Sequence, residues 1–425
     1  MIVPAVRAAM AFRFRALRHR NFRLFWSGQL VSLVGTWMQS VAQGWLMHEL
    51  TASAFMLGLL GFLQFLPVLL LSLWAGVVAD RVDKRRMLLL TQSLALLQAA
   101  ALATVVSAHV VQPWMVLALA LVFGVFNAFD LPTRQAFLIE MVGKDDISNG
   151  IALNSAAFNT ARVIGPAVAG LLVAGMGVAA CFWFNAVSYL AVIWSLARIR
   201  IAPRAAGAAG GGRRTHVMEG VRYAWSVRPL RNLLLLLGFT AGIGFQYMVL
   251  LPVYARDILH TGAEGYGLMV SAFGLGSLAA AVVMTRRLDR WDLRRNLRFG
   301  LSISGLGMAA FAWSRSLPLT LAMGFCIGLG LILYVTSTNT LLQLTTEDRF
   351  RGRVMSLYTL MFIGTAPAGA LISGWVAQVM GAPIATSLSA LVLLGGAIYV
   401  FFRLRVLAAR EAARPTEPVL TEKLG

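Results

Sequence analysis

The sequence predicts an all-α membrane protein of twelve transmembrane helices in two six-helix halves related by pseudo-two-fold symmetry, and three observations predict it. The composition is too apolar for a water-soluble chain. The apolar residues come in blocks of bilayer length. One charged segment recurs at a fixed offset in both halves.

Of 425 residues, 59% are hydrophobic and 13% charged, with a mean hydropathy of +0.75. A soluble domain carries about a quarter charged residues and could not hide so much apolar surface. Leu24 to Leu46, Phe55 to Ala79 and Val116 to Val125 are blocks with few or no charges. About 20 such residues at 1.5 Å rise cross a hydrocarbon core of ~30 Å. Alternating ten-residue strands are absent, which favours helices over a barrel.

The predicted spans lie near 22–49, 54–79, 87–109, 113–138, 148–175 and 178–198, then 231–259, 263–285, 297–314, 317–344, 352–379 and 382–404. Four units follow: a six-helix bundle at 1–200, a cytoplasmic linker at 201–230, a second bundle at 231–405 and a disordered cytoplasmic tail at 406–425. The linker holds an Ala/Gly stretch, Arg204 to Gly212, of flexible composition. A short amphipathic helix follows it, with Val217, Val221, Ala224 and Trp225 on one face and Glu219, Arg222 and Ser226 on the other. It is expected to lie on the inner surface.

Net charge is +20, and its distribution decides what it means. With the N-terminus inside, only Arg256 and Arg315 of 37 Lys and Arg fall in external loops, while Arg134 and Arg162 lie within helices. That is the positive-inside pattern of a multi-pass protein of the bacterial inner membrane with both termini cytoplasmic. The basicity is accounted for without nucleic acid. The basic start (Arg7, Arg13, Arg15, Arg18, Arg20, Arg23) leads into an apolar run too long for a signal peptide. Cys181 and Cys326 fall in different halves and read as small buried side chains; no spacing suits a metal or cofactor.

The repeat is the most informative feature. Asp80-Arg81-Val82-Asp83-Lys84-Arg85-Arg86 follows the second span, and Asp289-Arg290-Trp291-Asp292-Leu293-Arg294-Arg295 follows the eighth, 209 residues later. The same offset carries Gly58 onto Gly267. Gly165-Pro166-Ala167-Val168-Ala169-Gly170 is loosely echoed by Pro367-Ala368-Gly369. Two halves of one plan fit a transporter with its substrate site between them near the midplane.

Gly76 to Arg85 resembles the loop 2–3 signature of the major facilitator superfamily, G-x-x-x-D-R-x-G-[RK]-[RK], with Asp83 where glycine is usual. Gly165-Pro166 with Gly170 resembles the helix-five signature of that family's proton-coupled exporters, and Ala169 replaces the first of a doubled glycine. Arg20 to Trp26, Phe129 to Gln135 and Arg351 to Ser356 resemble the branch holding the bacterial enterobactin exporter and macrolide efflux proteins. The resemblance covers residues 14 to 405 and implies a cytoplasmic gate of Gly76, Asp80, Arg81, Arg85, Asp289, Arg290 and Arg294. In it Asp80 faces a helix start near Gly352, and Asp289 one near Ser148. A carboxylate suits a helix N-terminus, where the dipole is positive. The arginines alternatively serve topology alone, and Gly76 a spacer role.

Polar residues within spans are costly and point to a cavity or to interhelical bonds. Gln29, Ser32, Thr36, Gln39, Ser40 and Gln43 form one stripe on the first helix, facing either a water-filled cavity or neighbouring helices. Asn127, Asp130 and Arg134 share a face of the fourth. Asp130 with Arg134 is either the proton-coupling site or a pair bracing the fourth helix against the second or fifth. Asn159 and Arg162 share a face of the fifth. Glu49 is either a point of proton uptake or a solvated helix-end carboxylate. Asn339 and Gln343 line the cavity or glue helices. Trp37, Trp45, Phe65, Phe245, Tyr247 and Tyr334 are candidates for an amphipathic pocket, or belong to the interfacial belt.

No G-x-x-x-x-G-K-[ST] loop and no nucleophile elbow occur, which disfavours ATP-driven transport and enzymatic chemistry. The expectation is a monomeric secondary transporter that exports a small drug- or siderophore-like molecule against protons. Uptake, or an accessory role in secretion, is the alternative.

Overall fold

The computed structural model describes residues 15–143, 145–199, 213–287 and 292–412, which form long helices joined by short turns. A 3₁₀ turn at Arg15–Arg18 leads into the first half: α1 (Arg20–Thr51), α2 (Ala54–Arg81), α3 (Lys84–Ser107), α4 (Pro113–Val142), α5 (Ile147–Met176) and α6 (Val178–Arg198). The short α7 (Arg213–Ser226) precedes the second half. That half holds α8 (Arg228–Ile258), α9 (Gly262–Arg287), α10 (Leu293–Trp313), α11 (Leu317–Thr345), α12 (Arg351–Ile363 and Ala366–Met380) and α13 (Ala382–Ala412). Ten of these are long and apolar enough to cross a bilayer. Two further helices, α1 and α10, complete the sets of six, their hydropathy lowered by the polar stripe of α1 and by Arg294, Arg295, Asn296 and Arg298 at the start of α10. Leu70, Trp114, Leu171, Val187, Leu391 and Phe402 are more than half exposed on the outside of the bundle, as a lipid-facing surface requires.

Local chemistry sets the boundaries. Ser53 caps α2 by accepting from the Met56 N–H at 3.3 Å. Asp83 accepts from the Arg86 N–H at 2.9 Å to cap α3, and Asp292 from the Arg294 N–H at 2.9 Å to cap α10. The repeated second aspartate is thus a helix cap in each half. Gly143, Gly177 and Gly381 end α4, α5 and α12 at positive φ. Helix α13 continues to Ala412, past the boundary expected at 405.

The two halves pack alike: α1 on α6, α2 on α4, and α3 on α6 in one, α9 on α11 and α10 on α13 in the other. Two pairs make the most extensive contacts between the halves, α2 with α12 and α5 with α9, and α8 also touches α1 and α2. Both crossings are built on small residues. A Cβ on Gly58 would lie 2.6 Å from the Ala370 carbonyl oxygen and 3.0 Å from the Gly374 Cα. A Cβ on Gly267 would lie 2.5 Å from the Pro166 oxygen and 2.9 Å from the Gly170 Cα. Where lipid gives no hydrophobic drive between helices, such close approach supplies the attraction.

The turns after α2, α4 and α11 share one face, here the basic end; the face with Ala52, Gly177 and Gly381 is the charge-poor end. Both glycine crossings lie toward the charge-poor end. Helix α7 does not lie free beside the bundle. Glu219, expected on the solvent face, accepts from Arg353 at 2.8 Å, Tyr223 stacks on Phe350 at 4.2 Å, and Ala224 is buried with Leu342 and Val354. Trp225, expected on the apolar face, is 41% exposed. The helix docks on α12 through the side that carries Ala224, with Glu219, Arg222 and Ser226 exposed as expected. Among the described residues, Trp225 is the one member of the expected apolar face that turns outward.

Replacing Gly267 by Leu is expected to force α9 from α5 at a cost of about 1–3 kcal/mol, the usual range for overpacking. A lowered melting temperature and a longer distance between spin labels at Glu49 and Thr261 would register it; an unchanged distance would mean this crossing does not hold the end closed.

Candidate functional site between the halves

The polar stripe of α1 turns inward, not toward the interface of the halves. Gln39 donates to Gln98 of α3 at 3.0 Å and accepts from Asn185 of α6 at 2.8 Å, while Gln98 donates to the Leu119 carbonyl of α4 at 3.1 Å. Gln43 donates to the Val116 carbonyl at 3.4 Å, and Thr36 to the Ser32 carbonyl at 2.9 Å. Gln29, Ser32, Gln39 and Gln43 are all buried. For Gln39 and Gln43 the cavity expectation is therefore corrected: they bind α1 to α3, α4 and α6, where their amides find partners that hydrocarbon cannot supply, whereas the buried Gln29 Oε1 has no partner and Ser40 is exposed.

Asp130 likewise belongs to the inside of one half. It accepts from Thr91 at 2.9 Å and Gln92 at 2.8 Å, and pairs with Arg134 on its own helix. The brace runs to α3, not to the second or fifth helix. Thr91 and Gln92 were discernible only as polar residues in an apolar span. Lys84 and Glu140 pair at 2.8 Å nearer the end of α4, and Asp146 holds Arg15 and His19 at 2.9 and 2.8 Å.

Of the gate residues, Arg85 donates to the Leu196 and Ala197 carbonyls at 2.7 and 2.8 Å, capping α6 within its own half. Arg81 and Arg294 are exposed, and a Cβ on Gly76 would meet nothing within 4 Å. The Asp80 side chain, Asp289 and Arg290 lie outside the described residues, as do Arg204 to Gly212 of the linker and the tail beyond Ala412. Asn127, Asn159, Asn339 and Gln343 are partly or fully accessible. Asn159 donates to the Ser155 carbonyl at 2.9 Å, and Gln343 to Asn339 at 2.6 Å. Glu49 is exposed at the charge-poor end.

What joins the halves around their axis is a different set. His48 of α1, 1% exposed, meets Asp257 of α8 at 2.9 Å, and its Nδ1 has no partner. These two residues are 209 apart, the offset of the repeat, so equivalent positions of the two halves touch. Arg256 donates to the His48 carbonyl at 3.4 Å, and Trp45 stacks on Tyr266 at 6.3 Å. Deeper in, Gly165 of α5 abuts α1, where a Cβ would lie 2.6 Å from the Trp37 Cβ. One turn before it, Arg162 lies over the Trp37 ring at 5.8 Å and beside the Tyr247 hydroxyl of α8. Helix α8 is interrupted there by a π turn at Thr240–Gly244 and a break at Phe245–Gln246, and Gln246 donates to the Ala241 carbonyl at 2.7 Å. Helix α12 breaks at Gly364–Thr365. Interrupted helices facing each other at mid-bilayer are where transporters of inverted or repeated plan build their sites.

A family model described as transmembrane secretion effector, MFS_3, matches residues 11–424. The chain belongs to this family of the major facilitator superfamily. The transporter is 25% identical over 364 residues to the staphyloferrin A transporter of Staphylococcus aureus, covering 84% of this chain and 90% of that one. It is 27% identical over 396 residues to the multidrug efflux pump Tap of Mycolicibacterium fortuitum, covering 89% and 95%. Its fold matches a bacterial homologue of the human lysosomal transporter Spinster, solved inward-facing and unoccupied, with a TM-score of 0.74 at 12% identity, covering 92% of this chain and 98% of that one.

Asp130→Asn in this transporter is expected to leave Arg134 charged, partly buried and unpaired, at about 3 kcal/mol. Thermal unfolding in detergent checks it, and adding Arg134→Gln should recover part of the loss. Equal melting of single and double variants would sink the brace.

Proposed function

We propose that this transporter exports a small amphipathic molecule, drug- or siderophore-like, from the cytoplasm in exchange for protons by alternating access. The observation that carries the reading is the position of the inter-half contacts. Gly58 with Gly374, Gly267 with Gly170, Ser53 with Gln378 and His48 with Asp257 all lie toward the charge-poor end. By the positive-inside rule the basic end is cytoplasmic, and the closed end then faces outward. A site open to the cytoplasm is the loading state of an exporter, and the efflux-pump relatives support that direction.

Proton coupling needs a group whose interactions differ between the two states, because a ligand shifts an equilibrium only by its differential affinity. Asp130 and Arg134 lie on one helix and brace it to α3 of the same half, so rocking leaves them unchanged. His48 and Asp257 belong to opposite halves and separate when the outer end opens. A proton carried by the imidazole makes an ion pair there, and its loss leaves a neutral hydrogen bond. Glu49, the next residue and exposed, supplies a solvated carboxylate at the place of proton uptake. The protein acts as a monomer in the bacterial inner membrane with both termini inside.

The test is dissipation of an imposed pH gradient in inside-out vesicles by a panel of amphipathic compounds. Native protein and Asp130→Asn are expected to respond alike to an exported compound, whereas His48→Gln and Asp257→Asn lose the response. Loss in Asp130→Asn with retention in both latch variants would return the coupling to Asp130. No response to any compound with native protein would favour uptake or an accessory role.

A further inference from the structure

Among the described residues, Arg162 is a cation within the membrane interior that no counter-ion accompanies. Arg134 has Asp130, and Lys84 has Glu140. Arg162 lies fifteen residues into α5, about 22 Å along a helix of about 45 Å at 1.5 Å per residue. No carboxylate pairs with it among the described residues. Its Nε is buried without a hydrogen-bond partner, and the Tyr247 hydroxyl, 2% exposed, reaches the guanidinium from the other half and has no acceptor for its own O–H. An unneutralised charge at this depth is costly, and in membrane proteins such groups mark ligand pathways. Two orphaned buried donors beside each other call for one acceptor.

We propose that Arg162 and Tyr247 bind the carboxylate of an anionic substrate whose aromatic body lies against Trp37 and Phe158. The proposal rests on the reading of the chain as a transporter of amphipathic molecules and names the chemical class. A planar guanidinium offers a fork of donors that matches a carboxylate edge, and the free Nε is one prong of it. A cation would be repelled, and a neutral amide would bring donors where acceptors are wanted. Trp37 lies under the guanidinium, and Phe158 meets Trp37 edge-on at 5.8 Å and is 45% exposed, so an aromatic surface adjoins the charge. Tyr247 is held in place by stacking on Phe273 at 4.2 Å, immediately after the break in α8. The crevice of about 390 Å³ between α8 and α13, lined by Leu236, Phe239, Gly396 and Tyr399, carries no charge and does not compete for such a ligand.

Equilibrium binding to full-length protein in lipid nanodiscs decides the matter, using naphthylacetate, naphthylacetamide and naphthylethylamine as matched anionic, neutral and cationic probes. The carboxylate is expected to bind about tenfold tighter than the amide, as a charge-assisted pair replaces a neutral contact. Arg162→Gln should make acid and amide bind alike, and Arg162→Lys should keep part of the preference. Tyr247→Phe should weaken the acid about threefold and the amide little. Melting temperature identifies any variant that fails to fold, and the lysine variant keeps the charge as a control. Equal affinity for acid and amide, an acid preference that survives Arg162→Gln, or no binding of any probe would overturn the proposal. The binding assay requires no transport, so a failed export experiment leaves this outcome readable.

Discussion

At two places the backbones of opposite halves approach without a Cβ between them, Gly58 against Gly374 and Gly267 against Gly170. In hydrocarbon these crossings carry the association that hydrophobic burial carries in water. Because Gly58 and Gly267 are equivalent positions of the repeat, the axis relating the halves runs between the crossings. A residue of α1 near that axis must then meet its own counterpart in α8. His48 and Asp257 do so, and the repeat offset is the reason they can find each other. The closure of the charge-poor end and the approach of α1 to α8 both follow from where four glycines stand.

The bilayer also sorts the polar side chains. Gln39, Gln98 and Asn185 saturate one another within the first half, and Asp130 has Thr91, Gln92 and Arg134. Such groups cost little once satisfied, and their networks rigidify a half so that it can rock as a body. Arg162 is the opposite case, with its companions an aromatic ring and a phenol and not an acid. The contrast is one of chemistry more than of location. An orphaned buried atom alone does not separate the two cases, since Arg134 Nε and the Oε1 atoms of Gln29 and Gln92 also lack partners; what sets Arg162 apart is a guanidinium without a carboxylate among the described residues.

Much of the fold was readable in the sequence, since helix length and apolar content are set by bilayer thickness and the repeat exposes the two halves. The aspartates at 83 and 292 were legible as a repeat but not as caps, a role that depends on where the following helix starts. The polar stripe of α1 was visible, yet a helical period states only that six residues share a face. Which neighbours that face meets is a tertiary fact, and the partners Gln98 and Asn185 lie 59 and 146 residues from Gln39. Asp130 was rightly singled out as costly, but Thr91 and Gln92 carry no signal of their own. His48 escaped notice as one histidine of five; adding the repeat offset to its number would have found Asp257. Arg162 stood out as an intramembrane charge, while the break in α8 that brings Tyr247 to it has no proline or glycine at Phe245–Gln246 to announce it.

The latch and the orphan cation sit on the same helices. From Trp37 to His48 is eleven residues of α1, about 16 Å, and from Tyr247 to Asp257 is ten residues of α8, about 15 Å along the axis at 1.5 Å per residue. Each pair is contributed by both halves, so each adds stability only while α1, α5 and α8 stand together around the axis. An anion held by Arg162 and Tyr247 would favour that arrangement by its binding energy, and a charge-neutralised His48 would disfavour it by the difference between an ion pair and a neutral hydrogen bond. The proton on His48 and the anion on Arg162 bias one two-state element in the same direction, and two such ligands are thermodynamically linked whether or not they touch. Linkage between the anion and the proton then requires no relay between the sites, only two rigid halves whose shared contacts are few and placed on one axis.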